Sequence, residues 1–323
     1  MQLTTLIKEI GRGAKGARDL AEEDAADLFA AMLNGEVGEL ELGAVLMAYR
    51  IKGESLDELR GFYRALQERV TPIVLEPISR RPVVFGSYNG ARKQANLLPL
   101  LALLLESHGV PVLIHGVRND ASRITTAEIL AALNVPVSES ATHAALRIGA
   151  ARVAFLPADV MSPPLARLLA TRDRLGVRSS AHTMAKLADP FGGNSLRVIG
   201  VTHPHYLARL QAFLLAAAAN ALLLRGTEGE PVTSVRRQPA VEHFREGEQF
   251  TLLETRHFDH DTELPVHGSA EATAEWTRRV IAREQSLPEA IANQLACCLF
   301  ASGSAATFED AMTQAKRSVL VAH

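Results

Sequence analysis

Cysteine is nearly missing from this chain of 323 residues: there are two, Cys297 and Cys298, side by side. Adjacent cysteines are poorly placed to bridge each other, which excludes a disulfide framework and reads as reduced, inert thiols of a cytoplasmic protein. Long apolar runs are missing too. The most apolar stretches, 97–105 and 212–224, fall short of the roughly 18 to 20 residues of a membrane span, so no membrane partner is expected. The start, MQLTTLIKEIGRG, lacks a basic segment followed by an apolar run, and no signal peptide is expected. Nor is there an excess of charge. A net charge of −2 with 47% hydrophobic residues excludes a disordered chain and leaves enough apolar material for one large domain plus a smaller one.

The near-neutral total conceals an asymmetry. Residues 1–79 carry 9 Lys+Arg against 14 Asp+Glu, residues 80–186 carry 13 against 6, and residues 187–323 carry 12 against 16. A basic middle third between acidic flanks points to a local anionic partner, although scattered, solvated arginines give the same count.

From residue 21 to about 68, apolar residues recur three and four apart, as at Leu28, Met32 and Leu33, which predicts helices. Breaks fall at Asn34-Gly35 and Gly53, with Ser55 as the next N-cap. Pro72, Pro77 and Pro82 then punctuate the chain. Beyond them, β-branched runs at 82–85, 110–114, 153–155 and 198–201 read as buried strands. Helical stretches at 97–107, 125–133, 165–175 and 206–219 lie between and after them. The expectation is an α/β protein: a small all-helical N-terminal domain, 1–75, and a larger domain, 80–323, with a mainly parallel sheet flanked by helices. Residues 232–264 read as polar and irregular, and 271–323 as helical again. Ligands of an open parallel sheet sit beyond the carboxyl ends of its strands. That rule directs attention to loops at 86–96, 115–123, 157–164 and 225–233.

At these loops the sequence resembles the anthranilate phosphoribosyltransferase family, which shares its fold with the pyrimidine and thymidine nucleoside phosphorylases. The resemblance covers roughly residues 5–235 and implies that helices from about 163–190 complete the small domain. Family members hold phosphoribosyl pyrophosphate with a GTGGD loop; here that segment is Gly86-Ser87-Tyr88-Asn89-Gly90. The family's NxST turn becomes Asn96-Leu97-Leu98-Pro99, without its hydroxyls. KHGNR becomes Ile114-His115-Gly116-Val117-Arg118, and SSxSG becomes Ala121-Ser122-Arg123-Ile124-Thr125. Arg178 matches the arginine that contacts anthranilate. An Asp-Glu pair holds magnesium in the family, but Pro231 and Val232 fall in its place, and Glu228 or Glu230 could stand in only after a shift of register. Arginines persist where the metal ligands are lost. Guanidinium groups still pair with phosphate oxygens, whereas activating a pyrophosphate leaving group relies on metal charge.

These departures resemble the YbiB-type branch of the family, whose members are described as homodimeric nucleic-acid-binding proteins. The resemblance implies a homodimer built through the helical domain, no cofactor, and contact with the phosphate backbone of DNA or RNA. The expected phosphate-binding residues are Gly86, Ser87, Asn89, Gly90, Arg92, Lys93, Asn96, His115, Arg118, Arg123 and Arg178. Further nucleic-acid candidates are Arg80, Arg81, Arg236, Arg237, Arg278, Arg279, Lys316 and Arg317, of which the pairs outside the loops are as well read as solvated surface. The alternative is a working phosphoribosyltransferase or phosphorylase acting on a nitrogenous acceptor. His257, His260 and His267 with Asp259 and Asp261 match no defined zinc spacing and read as a solvated loop. His203 and His205 read as the start of a helix, and Met184 and Trp276 as packing residues.

Overall fold

The computed structural model describes residues 3–13, 15–76, 80–258, 264–265 and 269–318. The chain opens with helices α1 (Leu3–Ile10), α2 (Glu22–Asn34), α3 (Glu39–Lys52) and α4 (Leu56–Gln67). It continues as β1 (Val83–Ser87), α5 (Leu98–Ser107), β2 (Val112–Gly116), α6 (Thr126–Ala132), α7 (Ala141–Gly149) and β3 (Ala154–Pro157). Helices α8 (Ala158–Met161), α9 (Pro163–Ala170), α10 (Arg172–Leu175) and α11 (Ser180–Leu187) follow, then β4 (Leu196–Val201), α12 (Pro204–Ala216) and β5 (Ala221–Arg225). Four short strands come next: β6 (Arg237–Gln238), β7 (Val241–Arg245), β8 (Glu248–Leu253) and β9 (Arg256–His257). Helices α13 (Ala270–Ile281), α14 (Glu289–Ala301) and α15 (Phe308–Arg317) close the described chain. Among the described residues no helix is long and apolar enough to cross a membrane.

The chain divides into two compact units, 1–71 with 158–190, and 72–157 with 191–323. In the first, α2 lies against α4, with Phe29 and Phe62 stacked at 4.6 Å. Ser55 caps α4, and its capping-box partner Glu58 is fully buried. That carboxylate accepts hydrogen bonds from the Leu20 amide, the Tyr49 hydroxyl and Lys52, so its charge is satisfied on every side.

The second unit is built on a seven-stranded sheet ordered β3-β2-β1-β4-β5-β7-β8. Strands β1 to β5 are parallel neighbours, with Phe85 opposite Ile114 on one side and Val198 on the other. Every residue of β1 to β4 is buried, the mark of a sheet covered on both faces. Leucines of α5 and the apolar α14 fill the core beside Trp276, Cys297 and Cys298. Both cysteines are free, and burial pushes their thiols up, which keeps them protonated.

Three elements depart from the sequence reading. The apolar run 212–224 is split between α12 and β5, with Ala218 at φ +45° making the break. Nothing in an unbroken apolar run marks where a helix gives way to a buried strand. Residues 232–264, expected to be irregular, contain the antiparallel hairpin β7–β8, turned by Glu246 and Gly247 at φ +55° and +80°. The helix expected over 165–175 is two pieces, α9 and α10, that belong to the first unit.

Candidate functional site

Because β1, β2, β4 and β5 run parallel, the loops that leave their carboxyl ends share one edge of the sheet. The loop after β1 is wound so that its backbone N–H groups converge. Gly90 sits at φ +62°, and a Cβ there would stand 3.0 Å from the Arg123 Cβ and the Ile124 carbonyl oxygen, so only glycine fits without strain. Backbone nests of this kind bind anions.

Two carboxylates from the loop after β5 occupy those amides. Glu230 is fully buried, and its Oε1 accepts the Asn89 and Gly90 N–H groups at 2.7 and 2.8 Å. Its Oε2 takes the Ser87 hydroxyl at 2.5 Å. Ser87 in turn lies 2.7 Å from the Thr126 hydroxyl, to which Asn96 Nδ2 donates at 2.8 Å. Glu228 Oε1 accepts three consecutive amides, from Arg92, Lys93 and Gln94, at 3.0, 2.6 and 3.1 Å. Its Oε2 meets Arg123 Nη1 at 3.2 Å. Burial works to raise the Glu228 pKa but is outweighed by those three backbone bonds and the Arg123 charge, which hold it below the ordinary carboxylate range. Glu228 adopts φ +51°, ψ +20°, a left-handed conformation that costs a non-glycine residue about 1 kcal/mol.

The segment that carries them is anchored from behind. Gln294 on α14 donates to the Pro231 carbonyl and accepts the Thr233 amide, at 3.0 and 2.7 Å. A Cβ on Gly226 would lie 1.7 Å from the Glu230 carbonyl oxygen, so the turn closes only over a bare backbone. A register in which the two glutamates replace the family's Asp-Glu pair is therefore not what the chain adopts. Their oxygens face N–H and O–H donors, and no group of three or more His, Cys, Asp or Glu side chains suited to a metal ion occurs among the described residues. The donor set does not fit magnesium.

The other expected site residues separate by environment. His115, expected at the phosphate, is buried in the core with Nδ1 2.7 Å from the Tyr88 hydroxyl. Burial lowers its pKa to about 3, so the imidazole is neutral and carries no charge for an anion. Asn96 is buried as well and supports the start of α5, its Oδ1 accepting the Leu98 amide at 3.2 Å. Ser87 and the amides of Asn89 and Gly90 serve Glu230 rather than an outside ligand. Gly86 lies within β1, in register with His115.

The side chains of Arg92 and Lys93 are exposed although their amides are held. Arg118 is exposed and paired with Glu139 at 2.8 Å, which is drawn below its ordinary pKa by the Arg118 hydrogen bond. Exposed Arg225 ends β5, and exposed Arg236 and Arg237 follow the glutamate turn. Arg225 opens a loop that the sequence singles out but is not among the expected site residues, and the pairing role of Glu228 follows only from the fold. Arg178 lies in the helical unit, half-buried before α11. Arg80 donates to the His108 carbonyl at 2.5 Å, and Arg81 is exposed before β1. Arg278 is spent on Glu275 and the Ala132 carbonyl at the end of α13; Arg279, Lys316 and Arg317 are exposed at helix ends. His257 is exposed on β9, whereas Asp259, His260, Asp261 and His267 fall outside the described residues.

A helical bundle unit together in one chain with a parallel-sheet unit that carries an amide-lined anion loop defines a protein of the phosphoribosyltransferase-like class. The chain belongs to the glycosyl transferase family, whose helical bundle domain matches residues 4–70 and whose a/b domain matches residues 89–320. Within it the chain falls in the YbiB-type branch: it is 43% identical to YbiB of Escherichia coli (strain K12), with 98% of this chain and all of that protein covered. It is 27% identical to the anthranilate phosphoribosyltransferase of Thermus thermophilus over 92% of this chain and 90% of that one. The crystal structure of a Thermus thermophilus anthranilate phosphoribosyltransferase superimposes with a TM-score of 0.78 at 24% identity, covering 97% and 94% of the two chains. The Saccharomyces cerevisiae enzyme in complex with PRPP and Mg gives 0.74 at 14% identity, covering 98% and 93%. These likenesses establish the shared fold.

Proposed function

We propose that this protein binds nucleic acid through its phosphate backbone, as a homodimer, and does not transfer phosphoribosyl groups. One observation carries the reading. On the strand-end loops the carboxylates of Glu228 and Glu230 turn inward onto backbone amides, while the cationic side chains of Arg92, Lys93, Arg225 and Arg236 turn out to solvent. The donor-side nest is thereby taken, and exposed cationic side chains remain on the loops at that edge of the sheet. Arg118 joins them at the cost of sharing Glu139. Such cations attract polyanions without reading sequence, and the affinity they give falls steeply with salt because bound phosphates release counterions. Support for the dimer comes from α3, where Leu40, Met47 and Ile51 are exposed along one apolar stripe.

A second reading, glycosyl transfer to a nitrogenous acceptor, is favoured by the family match over 89–320 and by the named activities of the relatives. The two readings separate in one set of titrations. For a labelled single-stranded oligonucleotide, raising salt from 50 to 200 mM is expected to weaken binding by about fiftyfold if some four phosphates are neutralised. The R92A/K93A variant is expected to lower the salt slope by about 1.4 units. Flat or absent oligonucleotide binding, together with a magnesium-dependent isotherm for phosphoribosyl pyrophosphate, would replace the first reading with the second.

A further inference from the structure

We propose that His203, His205 and Tyr206, at the start of α12, form a stacking platform for the unpaired bases of a single-stranded nucleic acid. The inference rests on the backbone binding proposed for the same edge of the sheet and adds a preference for unpaired strands. The His203 and His205 rings lie 5.6 Å apart and within 10° of parallel, and the Tyr206 ring lies 4.6 Å from His205. Three residues on, Arg209 holds its guanidinium 5.9 Å from the centre of the Tyr206 ring. Both histidines are exposed, and Tyr206 is half-buried. The local fold does not account for these rings. His203 occupies the N-cap of α12, where Ser, Thr, Asp or Asn would accept an amide, yet its side chain caps nothing. Among the described residues neither imidazole has a hydrogen bond or an ion pair.

The rings leave the sheet beside the outward cations. Val201 at the end of β4 is in parallel register with Arg225 at the end of β5, across a strand spacing of about 4.8 Å. The Gly226 amide donates to the Val201 carbonyl at 3.1 Å. His203 therefore stands two residues beyond the strand partner of an exposed arginine. Arg92 and Lys93 come to the same turn, since their amides are held by Glu228, three residues after Arg225. A polyanion alone would need only the cations. Exposed π-faces next to them suit a chain whose bases are free to stack, because the bases of a duplex already stack on one another and show only their edges in the grooves. Among the described residues no further His, Cys, Asp or Glu joins the two imidazoles in a group suited to a metal ion.

The test is fluorescence anisotropy with a labelled single strand of about 12 nucleotides, and with that strand annealed to its complement. EDTA is present so that no metal bridges the imidazoles. The H203A/H205A variant is expected to bind the single strand about tenfold more weakly than the wild type and the duplex equally well, with the salt slope unchanged. H203F/H205F keeps the ring faces without the imidazole nitrogens and should retain the wild-type affinity for the single strand. In the wild type, adding the single strand should move the Cε1 proton resonances of His203 and His205 upfield, a ring-current shift that needs no variant. An equal loss on both strands in H203A/H205A, no loss on either, or a phenylalanine pair as weak as the alanine pair overturns the stacking platform and leaves backbone binding by the cations in place. So does an absence of the upfield shift when the single strand is bound. Wild-type protein that binds neither form overturns both.

Discussion

At the scale of single residues, Glu230 separates charge from hydrogen bonding. Its Oε1 serves two amides and its Oε2 a hydroxyl. Glu230→Ala leaves buried donors without partners and is expected to lower stability by about 3 kcal/mol or more. Glu230→Gln keeps an acceptor for both amides, and its new NH2 can donate to a rotated Ser87 hydroxyl, so the expected loss is only about 1 kcal/mol. Thermal melts of the pair check this, and equal losses would mean that the charge, not the acceptor geometry, holds the loop. The buried histidines set the pH response. Burial lowers His115 and His182 to about 3 and His243 to about 4, so each is neutral in the fold and binds its proton only on unfolding. Their contribution to stability is fully present above the ordinary histidine pKa, near 6.5, and is lost as pH falls from there towards 3. For His115 and His182 the slope is roughly 1.4 kcal/mol per pH unit each over that window. Melting temperature should therefore fall steadily from pH 6.5 to 5, and H115Q should flatten the fall. An unchanged profile in that variant would remove His115 from the explanation.

At the scale of elements, the glutamate turn after β5 depends on its glycine. A methyl on Gly226 would meet the Glu230 carbonyl oxygen at 1.7 Å, and the backbone cannot yield without moving the residue that holds Asn89 and Gly90. Gly226→Ala is expected to cost about 3 kcal/mol and to raise hydrogen exchange at those two amides ahead of global unfolding. Protection unchanged at both positions would show that the turn absorbs the methyl elsewhere. The same turn explains what the sequence made legible. Strands β1 to β4 and the N-cap at Ser55 follow from local pattern, because a β-branched run or a Ser-x-x-Glu box carries its own periodicity or spacing. Strand β5 did not, since it continues an apolar run without a change of texture. Departures from the family motif at 86–90 and 230–232 were also readable, as were the cations around them. What was not readable is that the two departures answer each other. Residues 89 and 230 are paired only by the sheet order, and a carboxylate seeking amides looks in sequence like one free for a metal.

At the scale of the whole molecule, α3 has an apolar face that its own unit leaves uncovered. Leu40 is 82% exposed, Ile51 66% and Met47 37%, at intervals of seven and four residues. Exposed Ala44 lies between them, and no atom would meet a Cβ on Gly43 within 4 Å. Large residues flanking a small-residue gap on one helical stripe suit packing against an identical helix across a two-fold axis. Because the stripe touches little within the protomer, L40E with I51E should leave the fold intact while burying charge at the junction. Light scattering at micromolar concentration is expected to give a dimer for the wild type and a monomer for the double variant, with matching circular dichroism. A dimer also carries two sets of outward cations, so a long oligonucleotide that reaches both gains avidity. The double variant should then lose affinity for long oligonucleotides and keep it for short ones. A wild-type protein that is already monomeric at that concentration would leave α3 without this role and each set of cations to act alone.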